Sequence, residues 1–181
     1  MQSPSDTELM QNVRDGDLEA FRLIVLRHQG FAWNVAYNFT GDAFDAEDIT
    51  QEAFLRVFEA AARYKPSASF RTYLFRILNR LCIDHNRKKR PVPTEHVDPG
   101  ADPALSPEQR ILHNEKNATV RKAIEALPPR QRMAVILRYY EGMDYKAVSA
   151  TLGTSEKAVE RLLARARETL ALKLEPFFDP E

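Results

Sequence analysis

Between Pro91 and Pro107 the helical period that runs through the rest of the chain stops, and this break constrains the fold more than any other feature. The run consists mainly of Pro, Asp, Gly and Ala, with too little apolar surface to fold alone, and it reads as a flexible tether. On its N-terminal side apolar residues recur at helical spacing. Leu18, Phe21, Ile24 and Val25 mark one core face, and Phe31, Val35 and Phe39 continue it on a second helix after His28-Gln29-Gly30. Ile49, Ala53, Phe54, Val57 and Phe58 predict a single amphipathic helix over 45–64, with Asp45 placed to cap its free N–H groups. After a loop at 65–69, Leu74, Ile77, Leu78, Leu81 and Ile83 predict a helix from Phe70 to Lys89. The expected organisation is an N-terminal lobe over 1–90, a tether over 91–107 and a C-terminal lobe over 108–181.

The second lobe opens with Ser106-Pro107-Glu108, an N-cap, a first-turn proline and a helix-favouring acid, followed by Ile111, Val120, Ile124 and Leu127. Pro128-Pro129 ends that helix and starts another, Arg130 to Tyr140, closed by Glu141-Gly142. Beyond it, Val148 and Leu152 share a short helix, Gly153 ends it, Thr154-Ser155 caps the next, and Val159, Leu162 and Leu163 seat that next helix on the first. Ser149 is small where the two helices approach. This is a helix-turn-helix pattern, whose outward positions Ser155, Lys157, Glu160, Arg161, Ala164 and Arg165 suit a major groove. The same spacing also suits an ordinary helical hairpin with a solvated charged face.

The chain is 44% hydrophobic, with few glycines and long stretches of Ala, Leu, Glu, Arg and Lys, so the expected fold class is all-α. No apolar run approaches the roughly 18 residues of a membrane span, and MQSPSDTE lacks the order of a secretion signal, so the expectation is a cytoplasmic protein without membrane insertion. Net charge is zero, which argues against coating nucleic acid through bulk charge. The charges are segregated, however: acids crowd the first third, while Arg71 to Arg90 and Arg161 to Lys173 are basic, a distribution suited to two kinds of partner. The four histidines are scattered and no triad, metal or phosphate-loop spacing occurs, so neither catalysis nor a metal or cofactor is expected. Cys82, the single cysteine, lies between Leu81 and Ile83 and reads as packing, as does Trp33.

Three stretches, DAEDITQEAFLRVFEA at 45–60, FRTYLFRILNRLCIDHNRKKR at 70–90 and LPPRQRMAVILRYYEGMDYKAVSATLG at 127–153 running into RARETL, resemble the extracytoplasmic-function (ECF) RNA polymerase sigma factors. The resemblance covers nearly the whole chain. It implies a first domain (sigma region 2) that docks on core polymerase and opens the promoter −10 element, and a second (sigma region 4) that reads the −35 element. It also implies service in a stress or signal response and an anti-sigma partner. Carried over by position, Asp45, Glu47, Asp48, Gln51, Glu52 and Phe54 would contact polymerase. For the melted strand, likeness and chemistry agree on Tyr64, Lys65, Phe70, Arg71, Tyr73, Arg76, Asn79, Arg80 and Arg87, which offer stacking faces and cations. Aromatics at helical spacing such as Phe70 equally suit a core. Tyr73 stands where the family carries tryptophan, and Glu160 and Ala164 depart from the family's usual recognition residues. The rival function is a helix-turn-helix regulator that is not a polymerase subunit; the acidic and aromatic-basic helices of the first lobe distinguish the two.

Overall fold

The computed structural model describes residues 3–88 and 117–178, with side chains to Glu175. The tether 91–107, the cap at Ser106, Ile111, both lobe boundaries and the Phe177 and Phe178 side chains lie outside the described residues. Among the described residues every regular element is helical.

The first helix, α1 (Asp6–Arg14), starts at a reciprocal capping box: Ser5 Oγ accepts from the Glu8 N–H, and the Glu8 carboxylate accepts from the Ser5 N–H at 2.8 Å. The apolar spacing did not predict α1, but its Ser-x-x-Glu signature is in the sequence. α2 (Leu18–Thr40) is one uninterrupted helix, correcting the expected break at Gly30. The backbone of Gly30 stays helical, and its flanks Ile24, His28, Ala32 and Val35 are buried on a single stripe.

α3 (Ala43–Ala60) is capped by Asp42, whose Oδ1 accepts from Phe44 N–H at 2.9 Å and Asp45 N–H at 3.0 Å. The cap expected at Asp45 therefore falls on Asp42, three residues earlier. The helix also ends before 64: a 3-10 turn, Ala61–Arg63, follows Ala60. α4 (Phe70–Lys88) completes the first lobe and buries Leu74, Phe75, Leu78, Leu81 and Cys82. Leu18 and Phe58, both expected in the core, are exposed.

The second lobe contains α5 (117–125), α6 (Pro129–Val135), a π-helical turn (Ile136–Tyr140), α7 (Tyr145–Leu152) and α8 (Glu156–Phe178). The predicted single helix over 130–140 thus changes register within its last five residues, where Glu141 N–H reaches back to Ile136 O. Buried side chains from both lobes form one continuous apolar cluster. Arg132, only 8% exposed, crosses between the lobes: it donates to Phe39 O on α2 at 2.8 Å, and to Glu125 O and Leu127 O at the end of α5. Its guanidinium lies 4.8 Å from the Phe39 ring centre. Two helix C-termini, each with unpaired carbonyls and a partial negative charge, converge on one cation.

Candidate nucleic-acid and protein interfaces

The helix-turn-helix is built from local chemistry. Asp144 Oδ1 accepts from Ala147 N–H at 2.7 Å to start α7. Gly153 ends it at φ +61°, a left-handed conformation that a side chain would strain, and its N–H returns to Ser149 O. Ser155 Oγ accepts from Ala158 N–H at 3.2 Å at the start of α8. Val148, Val159, Leu163 and Ala166 are fully buried between the helices, so α8 is fixed in rotation. Its other face presents Lys157, Arg161 and Arg165 at four-residue steps, a single exposed basic row, with Glu160 and half-buried Ala164 beside it. None of the side chains of Lys157, Glu160, Arg161 and Arg165 bonds another described residue, and Ser155 is exposed at the entry to the row.

In the first lobe the residues expected to meet a melted strand divide into five groups. Phe70 is core, 3% exposed, with its ring centre 4.8 Å from that of His28. Tyr64 and Tyr73 pack edge-on at 5.2 Å, half-buried, and burial pushes both phenols upward, with the Asp6 charge adding to the rise at Tyr64. They are neutral ring faces. Lys65, Arg80 and Arg87 are exposed, Arg87 making one long bond of 3.4 Å to Asp84. Tyr73, Arg76, Arg80 and Arg87 lie along one side of α4 by spacing. Asn79 Oδ1 is buried without a hydrogen-bond partner among the described residues. Arg71 and Arg76 are engaged by the second lobe, at Glu141 and at Ala150 O respectively.

On α3 the structure separates two faces. Ala46, Ile49, Ala53, Phe54 and Val57 face inward, so Phe54, expected among the docking positions, belongs to the core at 6% exposure. Asp45 turns toward α4, its carboxylate 3.1 Å from His85 Nε2 but off the direction of a hydrogen bond. Asp48 is exposed, Glu47 accepts from Gln51 Nε2 at 3.2 Å, and Glu52 holds Arg56 at 2.8 Å. Opposite the core, Asp48 and Gln51 share a stripe with Phe58 and with two apolar residues that sequence reasoning missed, Phe44 and Leu55, 81% and 57% exposed. The signal was that Phe44, Leu55 and Phe58 fall on one helical face out of phase with the core residues, with the polar Asp48 and Gln51 between them. Beside it, a groove of about 530 Å³ separates α2 from α3, lined by Gln29, Trp33, Asn34, Glu47 and Gln51. Trp33 lies parallel to Tyr37 at 4.8 Å rather than deep in the core.

Cys82 is wholly buried, and burial pushes its thiol up to about 12, partly opposed by the nearby Arg132 charge. Among the described residues no three His, Cys, Asp or Glu side chains converge as a metal site. No described helix is long and apolar enough to cross a membrane.

Fold and faces together define a bipartite, all-helical helix-turn-helix protein. Residues 24–92 match the family Sigma-70 region 2, and residues 118–170 match Sigma-70, region 4. The RNA polymerase sigma-H factor of Pseudomonas aeruginosa is 32% identical, the match covering 94% of each chain. The ECF RNA polymerase sigma-E factor of Escherichia coli K12 is 30% identical over 95% of each. Among solved structures, CnrH in complex with the cytosolic domain of CnrY superimposes with a TM-score of 0.72 at 26% identity, covering 95% of this chain and 98% of that one. The chain belongs to the extracytoplasmic-function family of RNA polymerase sigma factors.

Proposed function

We propose that this protein joins core RNA polymerase in the cytoplasm and directs initiation at a restricted set of promoters, with no catalytic chemistry of its own. The observation that carries the reading is the exposed basic row Lys157, Arg161 and Arg165, without a partner among the described residues, on a rotationally fixed α8 in a chain of this family. That row enters the major groove of the upstream element, where an arginine can pair with guanine or hold a phosphate. Glu160 suits a cytosine amino group, and Ala164 leaves room beside it.

The first domain is taken to end at 90 and the second to begin at 108, a division supported by two separate family matches, at 24–92 and 118–170. The outer stripe of α3, with Asp48, Gln51, Leu55 and Phe58, together with Glu47 and Glu52, meets polymerase. Tyr64, Lys65, Tyr73, Arg80 and Arg87, joined by Arg71 and Arg76, receive unpaired bases. Stacking worth about 1 to 3 kcal/mol per base offsets the few kcal/mol of base extrusion, so melting needs no fuel. The structure of CnrH in complex with the cytosolic domain of CnrY supports a protein partner for this chain as well, which we read as an anti-sigma factor released by a stress signal.

Run-off transcription by core polymerase on a promoter library, with and without the protein, tests the whole reading. The expected result is selective transcripts that require the protein and disappear with Arg161→Glu. A protein that binds duplex DNA but neither associates with core enzyme nor confers start-site selectivity would instead be a stand-alone regulator.

A further inference from the structure

Two of the arginines assigned above to the melted strand are already occupied. Arg71 NH2 donates to Glu141 Oε2 at 2.9 Å, and Arg76 Nε donates to the carbonyl of Ala150 at 2.8 Å. Both acceptors belong to the second lobe, Glu141 just past the π turn and Ala150 on α7. The carboxylate of Glu141 is 9% exposed, whereas Arg71 remains half open, its guanidinium 4.7 Å from the Phe31 ring centre. Glu141 therefore presents to Arg71 a carboxylate oxygen of the kind that a phosphate would otherwise offer. The Ala150 carbonyl does the same for one donor of Arg76. Around this contact the lobes are also joined by Arg132 on Phe39 O and by Arg121, which donates to Tyr37 Oη at 2.5 Å. The upstream reading face is treated differently: Lys157, Arg161 and Arg165 stay exposed while the lobes are together.

Resting on the assignment of Arg71 and Arg76 to single-stranded DNA, we infer that the second lobe is an internal competitor for the strand: in the closed arrangement Glu141 and Ala150 O occupy the strand-binding arginines, while the duplex-reading face stays available. Closure silences one DNA activity and spares the other. A chain in this state can inspect an upstream duplex but cannot retain a separated strand until the lobes part.

The test uses the full chain and two fluorescent probes, a single-stranded oligonucleotide and a duplex carrying an upstream element, read by anisotropy at fixed salt, with the radius of gyration from small-angle scattering. Glu141→Gln removes the charge at constant shape, and Glu141→Lys opposes Arg71 outright. Releasing one half-exposed ion pair is expected to tighten single-strand binding about three- to five-fold for the glutamine variant, and more for the lysine variant. The radius should grow and duplex affinity should hold, which separates release from added positive charge. Adding Arg71→Ala should abolish the gain. Should Glu141→Lys enlarge the molecule without improving strand binding, while Arg71→Ala alone weakens it, competition is refuted and the strand assignment survives. Should neither Arg71→Ala nor Arg76→Ala weaken strand binding in the opened variant, the assignment itself fails and the inference with it. No change in radius or affinity in either Glu141 variant also overturns it.

Discussion

Replacing Arg132 by methionine isolates the junction of the two lobes. The guanidinium supplies two buried bonds, to Phe39 O at 2.8 Å and Leu127 O at 3.3 Å, and a partly buried one to Glu125 O. A buried carbonyl left without a partner costs about 1 to 3 kcal/mol, and the Phe39 cation–π contact adds about 0.5 to 1 kcal/mol. Against this, methionine fills the volume and removes the cost of holding a charge out of water, the same cost that lowers the Arg132 pKa from its ordinary value. The balance is a loss of about 3 kcal/mol. With a urea slope of about 2 kcal/mol per molar, the midpoint followed by far-ultraviolet circular dichroism falls by about 1.5 M. Because Phe39 and Leu127 belong to different lobes, the transition should also broaden as the lobes begin to unfold separately. Arg132→Lys, which keeps the charge on a single donor head, should lie between the two. Wild-type midpoints and slopes in both variants would show that the convergence of two helix ends on this side chain contributes nothing.

Asp42→Ala should destabilise the first lobe by about 1 kcal/mol through loss of the α3 cap, whereas Asp45→Ala should not reproduce that loss; equal costs in urea titrations would put the cap back on Asp45. Arg161→Ala should weaken binding to a cognate upstream duplex by about 1 to 3 kcal/mol and relax preference at one base pair, measured by anisotropy against a set of single-base variants. Gly153→Ala should cost about 1 kcal/mol, because its φ of +61° is strained for a side chain; an unchanged melting temperature contradicts this. Cys82, with its thiol raised from 9.0 to about 12, should resist thiol reagents in the folded protein at pH 8 and react fully in urea. By linkage the raised value stabilises the fold below pH 9 and that contribution fades as pH climbs toward 12, so rapid labelling at pH 8 refutes the burial.

Periodicity together with chemical punctuation was enough to find the helices that have one buried stripe, as with Gly153 and Ser155 around the turn. It placed the break in α2 wrongly because Gly30 is a breaker only where its surroundings let the backbone leave the helix, and Ala32, Val35 and Ala36 are fully buried just beyond it. It missed α1 because a nine-residue helix with three buried positions makes a weak apolar signal, even with a good cap. On α3 the exposure of the acidic positions Glu47 and Asp48 was legible, whereas the burial of Phe54 was not. Phe54 fits the core period and the family pattern equally, and packing decides between them. That Arg71 and Arg76 meet the second lobe was not readable, since Glu141 and Ala150 are 70 and 74 residues away in the chain and nothing local marks the contact.

The helix that carries the reading face, α8, runs unbroken for 23 residues, about 34 Å, while Leu172 in its distal half is 73% exposed. Its first half is held against the core by Val159, Leu163 and Ala166, and Arg161 and Arg165 lie within that anchored stretch. The arginines thus stand on the clamped part of the rod, and a load on its free end meets the packed core before it reaches them.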